Sequence, residues 1–219
     1  MFTIAFPFPV LPSYDGFVGV TSLHYFTVNS MIDAYSKGIY PWFIEAENVY
    51  WFSPFPRLVL YTNAVTISKS MKQILKNNPY TITINTASKQ LIDTCSEVHH
   101  TTGGTWLDAI FAKMYMQLSD IGMLQTVEVW EGNELVGGLV GNILGHMAYG
   151  ETMFNTRPNT SKLALIYWCS HLAHKNIPII DCQQDSMHLR SMGARLINSE
   201  LFQSHLPFTT HKFPFTNHV

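Results

Sequence analysis

The sequence has little charge and no long apolar run. Only 13% of its 219 residues are Asp, Glu, Lys or Arg, against about 25% in a typical soluble protein. The net charge of -2 provides no global basic field that would indicate a nucleic-acid partner, although it leaves room for a local basic patch. The hydrophobic content of 47% is enough for a substantial core and excludes an intrinsically disordered chain.

Cysteine is also scarce. Cys95, Cys169 and Cys182 are an odd number and lie far apart, which favours reduced thiols in the cytoplasm over a disulfide framework. The apolar start "MFTIAFPFPVL" has no Lys or Arg and is interrupted by Pro7 and Pro9, so it does not resemble a signal peptide. No apolar run approaches the ~20 residues of a membrane helix. We therefore expect a cytoplasmic protein without a membrane span.

Periodicity and turn residues predict a mixed order of helices and strands. Helices are expected at residues 28–37, 68–76, 88–98, 105–122 and 161–174, and strands at 58–62, 80–85, 126–130, 135–143, 146–149 and 178–180. This order favours an α+β (mixed α/β) fold over a doubly wound parallel one. A loop rich in aromatic residues and proline at 50–57 predicts two domains, a small N-terminal one at 1–56 and a larger one at 57–219.

The stretch "IIDCQQD" at residues 179–185 is a candidate site. If residues 178–183 are extended, Asp181 and Gln183 share one face and Cys182 points to the other. A buried carboxylate is costly unless it is hydrogen-bonded, so the pair either ends a strand with its backbone partners or serves a site. Nothing local lowers the pKa of Cys182, which is interpreted as a packing residue.

Two further groups of polar residues are weaker candidates for a functional site. Glu151 follows an apolar segment and is either part of a surface turn or a carboxylate that binds an ammonium group at a pocket mouth. His99 and His100 lie near Cys95 and Glu97, but no second ligand pair follows at zinc spacing. We therefore expect no metal site.

Two predicted helices carry side chains outside a core stripe. Lys69, Lys72 and Lys76 fall on one helical face, which is either a solvated face or a contact to a phosphate backbone. Trp106 and Tyr115 are nine residues apart and therefore lie on different faces of their predicted helix.

Several strings together resemble the leucyl/phenylalanyl-tRNA–protein transferase family over most of the chain, from about Met31 to about Leu206. They are "AYSKGIYPWF", "WFSPFPR", "ISKSMK", "GTW", "VEVWEGNELVGGLVG", "GETMF", "NTSKLAL", "IDCQ" and "SMGAR". The resemblance implies a small N-terminal domain and a larger GNAT-type acyltransferase-like domain, with a central, mostly antiparallel sheet flanked by helices.

The activity that the resemblance implies is aminoacyl transfer. The family moves leucine or phenylalanine, and methionine less well, from aminoacyl-tRNA to an N-terminal Arg or Lys of an acceptor protein, which marks that protein for degradation. It works as a monomer in the bacterial cytoplasm, away from the membrane, and needs no metal or other cofactor. Leu-tRNA, Phe-tRNA and proteins with N-terminal Arg or Lys are thus the expected partners.

The resemblance also implies roles for matched residues. Asp181 and Gln183 match the catalytic pair, with Asp181 either accepting a proton or orienting Gln183, and Glu151 matches the acid that holds the amino group of the aminoacyl moiety. Aromatic residues match the site for the tRNA 3′ end and its amino acid: Tyr35, Trp42, Trp106 and Tyr115. Apolar residues match the side-chain pocket: Leu139, Met153 and Leu165. Basic residues match the tRNA surface: Lys69, Lys72 and Lys76.

Departures from the family pattern concentrate near the N-terminus. The family's "GGDLSP" is replaced by "GVTSLH" at residues 19–24, and its second Trp and its Asp in "WWSPDPR" are Phe52 and Phe55. The N-terminal domain is therefore the part that matches the family least, and whether substrate preference has changed with it is left open by the sequence.

Two alternatives remain. An acetyl-CoA-dependent N-acetyltransferase would bind pyrophosphate with a glycine-rich loop at a helix N-terminus, but the loop at 155–160 contains Pro158 and no glycine. A tRNA-binding homologue without transfer activity is disfavoured, because the catalytic pair and Glu151 are retained.

Overall fold

The structure is a computed structural model that describes residues 15–77, 79–102 and 107–207, without the side chains of residues 99–102. Its strands are β1 Phe17–Ser22, β2 Tyr40–Glu45, β3 Asn48–Phe52, β4 Arg57–Tyr61, β5 Thr81–Ile84, β6 Leu124–Glu131, β7 Glu134–Leu144, β8 Met147–Asn155, β9 Ile179–Asp181 and β10 Arg195–Ile197. Its helices are α1 Val28–Ser36, α2 Lys69–Asn77, α3 Ser88–Thr102, α4 Ala109–Asp120, α5 Thr160–His174, α6 Met187–Ser191 and α7 Ser199–Ser204, with a 3₁₀ turn at Leu23–Tyr25.

The strands form two sheets. One is three-stranded in the order β1-β3-β2, and the other is seven-stranded in the order β10-β4-β9-β8-β7-β6-β5. All strand pairs are antiparallel except β8 with β9, which is parallel. The predicted mixed α+β class with a mostly antiparallel sheet flanked by helices is therefore confirmed.

The three-stranded sheet follows directly from α1. Thr27 caps this helix reciprocally with Ser30, a capping box that satisfies two terminal donors. The chain leaves the helix through Gly38, whose φ of 72° is a left-handed conformation that favours glycine. A Cβ there would lie 2.5 Å from the Phe202 ring. The close turn directs the chain into β2.

The seven-stranded sheet has helices on both faces. Leu91 of α3 and Phe111 of α4 belong to one apolar cluster, and α5 lies in a second cluster with Trp168 at its centre. Trp168 packs so closely on β7 that a Cβ at Gly141 would lie 2.3 Å from the indole ring. The glycines of "VGGLVG" therefore serve close helix-to-sheet packing.

Two sequence-based boundaries are wrong by several residues. The helix predicted from residue 105 begins at Ala109, because the Asp108 side chain accepts hydrogen bonds from the Ile110 and Phe111 amides. The strand predicted to end at residue 149 continues to Asn155, paired with β7. Thr105 and Trp106, with the predicted break at 103–104, lie outside the described residues.

Candidate active site

A pocket opens where β8 and β9 separate. The two strands pair in parallel only as far as Tyr149 and Asp181, after which β8 continues along β7 while β9 ends. The pocket has a volume of about 280 Å³. Its walls are Tyr40, Pro41, Trp42, Leu139, Gly150, Glu151, Thr152, Met153, Leu165, Trp168, Ile180, Cys182, Gln183, Gln184 and Leu189. The gap in the sheet thus exposes residues of both strands to one cavity.

Two β-bulges direct side chains into this pocket. In the β7–β8 ladder Gly141 pairs with Gly150 and Val140 with Thr152, so Glu151 has no opposite partner. In the β2–β3 ladder the register skips Trp42 in the same way. A bulge inserts one unpaired residue and re-aims its side chain. Glu151 therefore lies within the strand and not in the surface turn that was the alternative interpretation.

The Glu151 carboxylate is surrounded by hydrogen-bond donors. Its Oε1 accepts from the Tyr35 hydroxyl at 2.7 Å and from the Asn142 amide at 2.9 Å. Its Oε2 accepts from the Tyr115 hydroxyl at 3.0 Å and from Gln183 Nε2 at 3.3 Å. These donors come from four different elements, so the position of the carboxylate is fixed by the whole fold.

Burial dominates the electrostatics of this group. It raises the pKa of Glu151, and the four hydrogen bonds offset that increase only in part. Burial also raises the pKa of Tyr35 and of Tyr115 well above the usual value, and the nearby Glu151 charge adds to the increase. Both tyrosines therefore remain neutral donors, and the carboxylate lacks a cation among the partners that the described residues provide.

Asp181 lies below the pocket and does not line it. Its side chain is 1% exposed, and its Oδ1 lies 3.3 Å from Nε of Arg57, which is fully buried. The same oxygen accepts a hydrogen bond from the Gln183 amide at 2.8 Å. Burial raises the pKa of Asp181, while the Arg57 charge and the Gln183 amide act in the opposite direction.

Gln183 reaches the pocket by a turn and not by strand alternation. The prediction that residues 178–183 are extended is wrong, because β9 ends at Asp181 and Gln183 has a φ of 62°. The Asp181 side chain binds the amide two residues on, an Asx-type turn. The turn places the Gln183 side chain against Glu151. Cys182 is partly exposed and lines the pocket, and burial and the Asp181 charge raise the pKa of its thiol.

The opposite wall of the pocket is apolar. The three residues predicted for a side-chain pocket, Leu139, Met153 and Leu165, all lie on it. Trp42, which is 36% exposed, stands at the pocket with its ring 4.7 Å from that of Phe52. The cavity therefore combines one anionic group with a surface that fits an aliphatic or aromatic side chain.

The other predicted site residues have different surroundings. Tyr35 and Tyr115 are fully buried and donate their hydroxyls to Glu151, and neither is among the residues that line the pocket. The lysine face of α2, composed of Lys69, Lys72 and Lys76, is exposed. Its role is open to test. Trp106 lies outside the described residues.

Sequence reasoning missed Arg57 and Asn142. Asn142 is buried near the end of β7, where an amide among apolar residues was the available signal. Arg57 ends the "WFSPFPR" string, and its burial has no signal in a single sequence.

The described residues contain no group of three or more His, Cys, Asp or Glu side chains arranged to hold a metal ion. Among the helices that the structure describes, none has the length and apolar character needed to cross a bilayer.

Comparison with known proteins gives two family matches that together cover most of the chain. Residues 59–207 match the leucyl/phenylalanyl-tRNA protein transferase model, and residues 26–54 match the model of the N-terminal domain of the same transferase. The chain belongs to this family. A family member from Legionella pneumophila (strain Paris) is 38% identical over 95% of this chain and 92% of its own length. Another, from Flavobacterium johnsoniae, is 40% identical over 78% of this chain and 81% of its own length.

Solved structures overlap less. A conserved protein of unknown function from Bacteroides thetaiotaomicron has a TM-score of 0.47 at 11% identity, over 70% of this chain and 56% of that one. An aminoglycoside acetyltransferase from a soil metagenome has a TM-score of 0.41 at 16% identity, over 65% of this chain and 97% of that one. At these TM-scores the overlaps carry no argument, and the family membership rests on the sequence matches.

Proposed function

We propose that this protein transfers leucine or phenylalanine, and methionine less well, from aminoacyl-tRNA to the N-terminal Arg or Lys of an acceptor protein. The product would be marked for degradation in the cytoplasm. The observation that carries the proposal is that Glu151 and Gln183, which donates a hydrogen bond to it, together line a largely apolar pocket of about 280 Å³. Family membership supports the reaction class.

The pocket is suited to the aminoacyl group of the donor. A protonated α-amino group would supply the cation that Glu151 lacks, and the side chain would enter the wall formed by Leu139, Met153 and Leu165. An apolar pocket distinguishes one methylene by only ~1–3 kcal/mol. The preference among leucine, phenylalanine and methionine should therefore be graded and not absolute.

The reaction forms an amide from an ester. The acceptor nitrogen attacks the ester carbonyl carbon and loses a proton, the carbon–oxygen ester bond breaks, and the ribose oxygen of the tRNA leaves with a proton. Gln183 donates its amide to Glu151, so its carbonyl oxygen is available to accept a hydrogen bond from the attacking amine. Asp181 is held by Arg57 and the Gln183 amide, and this favours an orienting role over that of a general base.

A second cavity supports an acceptor with a cationic side chain. It also has a volume of about 280 Å³ and shares Trp42, Gln183 and Gln184 with the first. Its lining adds the carboxylates of Asp15 and Asp185, although Asp185 already accepts two hydrogen bonds from Arg190, at 2.5 and 2.6 Å. An acceptor there would reach Gln183 next to the donor pocket, through the residues that the two cavities share.

The tRNA would contact two surfaces. The 3′ adenosine can stack on the exposed Trp42 ring, and the lysine face can bind phosphates. We also infer a division of the chain at residue 56, because β1 to β3 form one sheet and β4 begins the other.

The experiment measures transfer of labelled leucine or phenylalanine from charged tRNA to a peptide with N-terminal Arg, with an N-terminal Ala peptide as the matched control. We expect transfer to the Arg peptide, and its loss in the Gln183→Ala variant, whose partly exposed side chain can be removed without opening the core. Absence of transfer from both tRNAs by folded protein would refute the proposal. Transfer from acetyl-CoA alone would select the acetyltransferase alternative.

A further inference from the structure

Among the residues that the structure describes, Arg57 is the only cationic residue whose side chain is buried. An unpaired buried guanidinium is strongly unfavourable, so its partners indicate what it is for. Nε faces Asp181 at 3.3 Å. Nη2 donates to the Gly38 carbonyl and lies 3.5 Å from Ser53 Oγ.

Three aromatic rings enclose the guanidinium. Its central carbon lies 5.2 Å from the ring centroid of Tyr40, 5.5 Å from that of Phe55 and 4.6 Å from that of Phe202. These distances are within the range of cation–π contacts. The rings and the two oxygen acceptors fix both the plane and the rotation of the group.

The contacts of Arg57 lead to both sides of the candidate site. On one side Asp181 Oδ1 also accepts from the Gln183 amide, and the Gln183 side chain contacts Glu151. On the other side Gly38 follows α1, which supplies the Tyr35 hydroxyl to Glu151. The two routes meet at the same carboxylate.

We propose that Arg57 is a positioning residue for the transfer reaction, which holds Asp181 so that the turn after β9 presents Gln183 to the reacting groups. This inference rests on the proposed function. A structural role alone would need burial and pairing of the cation. It would not require that Asp181 Oδ1, the oxygen that faces Arg57, also accept the hydrogen bond from the Gln183 backbone amide in the left-handed turn. Arginine suits the task because its planar, forked donors bind several acceptors at once, which a lysine ammonium on a flexible stem cannot match.

The test compares Arg57→Lys and Arg57→Met with the wild-type protein in single-turnover transfer from Phe-tRNA to an N-terminal Arg peptide, with the folded fraction and the affinity for Phe-tRNA measured in parallel. We expect the Met variant to bind Phe-tRNA within about threefold of the wild type and to react about 100-fold more slowly at neutral pH, as expected for misplaced reacting groups. The Lys variant should lose about tenfold, because it keeps the charge and loses the contacts to Gly38 and Ser53.

The pH profile separates positioning from stability. Without the Arg57 cation the pKa of Asp181 rises further, so the acid limb of the Met variant should move to higher pH and its rate should recover in part as the pH is raised. The other titratable groups facing Asp181 are Tyr40 on β2, Tyr149 on β8 and Cys182 beside it, and burial raises the pKa of each. Glu151 contributes an acid limb shared by all variants.

A double variant shows whether Arg57 acts through Asp181. Adding Arg57→Met to Asp181→Asn should cost less than about threefold beyond Asp181→Asn alone, because coupled residues are non-additive. A further 100-fold loss in the double variant, or a rate loss in Arg57→Met equal to its loss of folded protein with an unchanged pH profile, would overturn the inference. If the Met variant does not fold, a Lys variant with the wild-type rate overturns it and a tenfold slower one supports it.

The failure of the proposed function would look different. In that case the folded wild-type protein itself would transfer no amino acid from either tRNA, whereas failure of the Arg57 inference alone would leave wild-type transfer intact.

Discussion

Replacing Glu151 by Gln removes the charge of the candidate ammonium-binding group and keeps its shape. The four donors around the carboxylate can adapt, because the Tyr115 hydroxyl can rotate to accept a hydrogen bond and the Gln183 amide can flip. We therefore expect the variant to fold. The change then isolates the electrostatic contribution of one carboxylate to donor binding and transfer.

The magnitude follows from the kind of contact. A hydrogen bond between a charged donor and a charged acceptor contributes ~1.5–3 kcal/mol. Its loss corresponds to a decrease of about 10- to 150-fold in kcat/KM for Leu-tRNA. The decrease should appear mainly in KM if the contact forms equally in the bound substrate and the transition state.

The assay uses two donors that differ only at the α position. Leu-tRNA carries the amino group, and tRNA charged with the corresponding 2-hydroxy acid carries a hydroxyl. The wild type should prefer the amino donor by about 10-fold or more, and Glu151→Gln should lose most of that preference because both donors then meet a neutral amide. An undiminished preference in the variant would refute the assignment of the ammonium to Glu151.

The pH dependence of the folding stability gives an independent control for the Glu151→Gln variant. The folded-state pKa of Glu151 is raised, so the favourable contribution of this group is complete below its unfolded pKa of about 4.3 and is lost as the pH rises through the folded pKa. The Gln variant has no such loss. Relative to the wild type, it should be most stable at neutral pH, and thermal unfolding should show that advantage shrinking as the pH falls.

Four further variants test other parts of the structure. Glu128→Ala removes a fully buried carboxylate that accepts from three threonine hydroxyls and a backbone amide, and should cost about 2–3 kcal/mol in urea unfolding with little effect on transfer by the folded protein. Gly141→Ala forces the Trp168 ring toward the pocket; it should cost about 1–3 kcal/mol in stability and should slow phenylalanine transfer more than leucine transfer. Gln at all three positions of the lysine face should weaken tRNA binding at low salt and reduce the log–log salt slope by about 2–3, and should leave transfer from a short aminoacyl-adenosine donor unchanged. Cys182→Ala should keep most activity although the side chain lines the pocket, because the raised pKa of the thiol makes it a poor nucleophile; a loss equal to that of Gln183→Ala would contradict this.

Local patterns predicted most elements between residues 58 and 180, but they missed the strands of the three-stranded sheet and the elements after β9, and they predicted the site geometry poorly. The hairpin expected over residues 126–143 is confirmed by β6 and β7, and α5 begins within one residue of its predicted start. These elements follow from alternation and helical periodicity, which depend on neighbours in sequence. The candidate site depends instead on irregular backbone.

The bulges at Trp42 and Glu151 illustrate the limit. Each is a single extra residue in a ladder, and its position depends on the partner strand, which a single sequence does not reveal. Pro41 was a partial signal, since proline in a sheet is confined to edges and bulges and β2 is an edge strand. The strand-alternation argument grouped Asp181 with Gln183, but the structure brings them together by a left-handed turn.

The contact between the Phe202 ring and Arg57 determines when, during synthesis of the chain, the surroundings of Arg57 can be complete. Phe202 lies on α7, far downstream of Arg57 in the chain. A protein emerges from the ribosome with its N-terminus first, so Arg57 is synthesised well before Phe202. Until Phe202 has been synthesised, the Arg57 guanidinium lacks the nearest of its three aromatic rings. A nascent chain, or one clipped before α7, would then carry the lysine face without an assembled centre, and aminoacyl transfer would begin only after synthesis has passed Phe202.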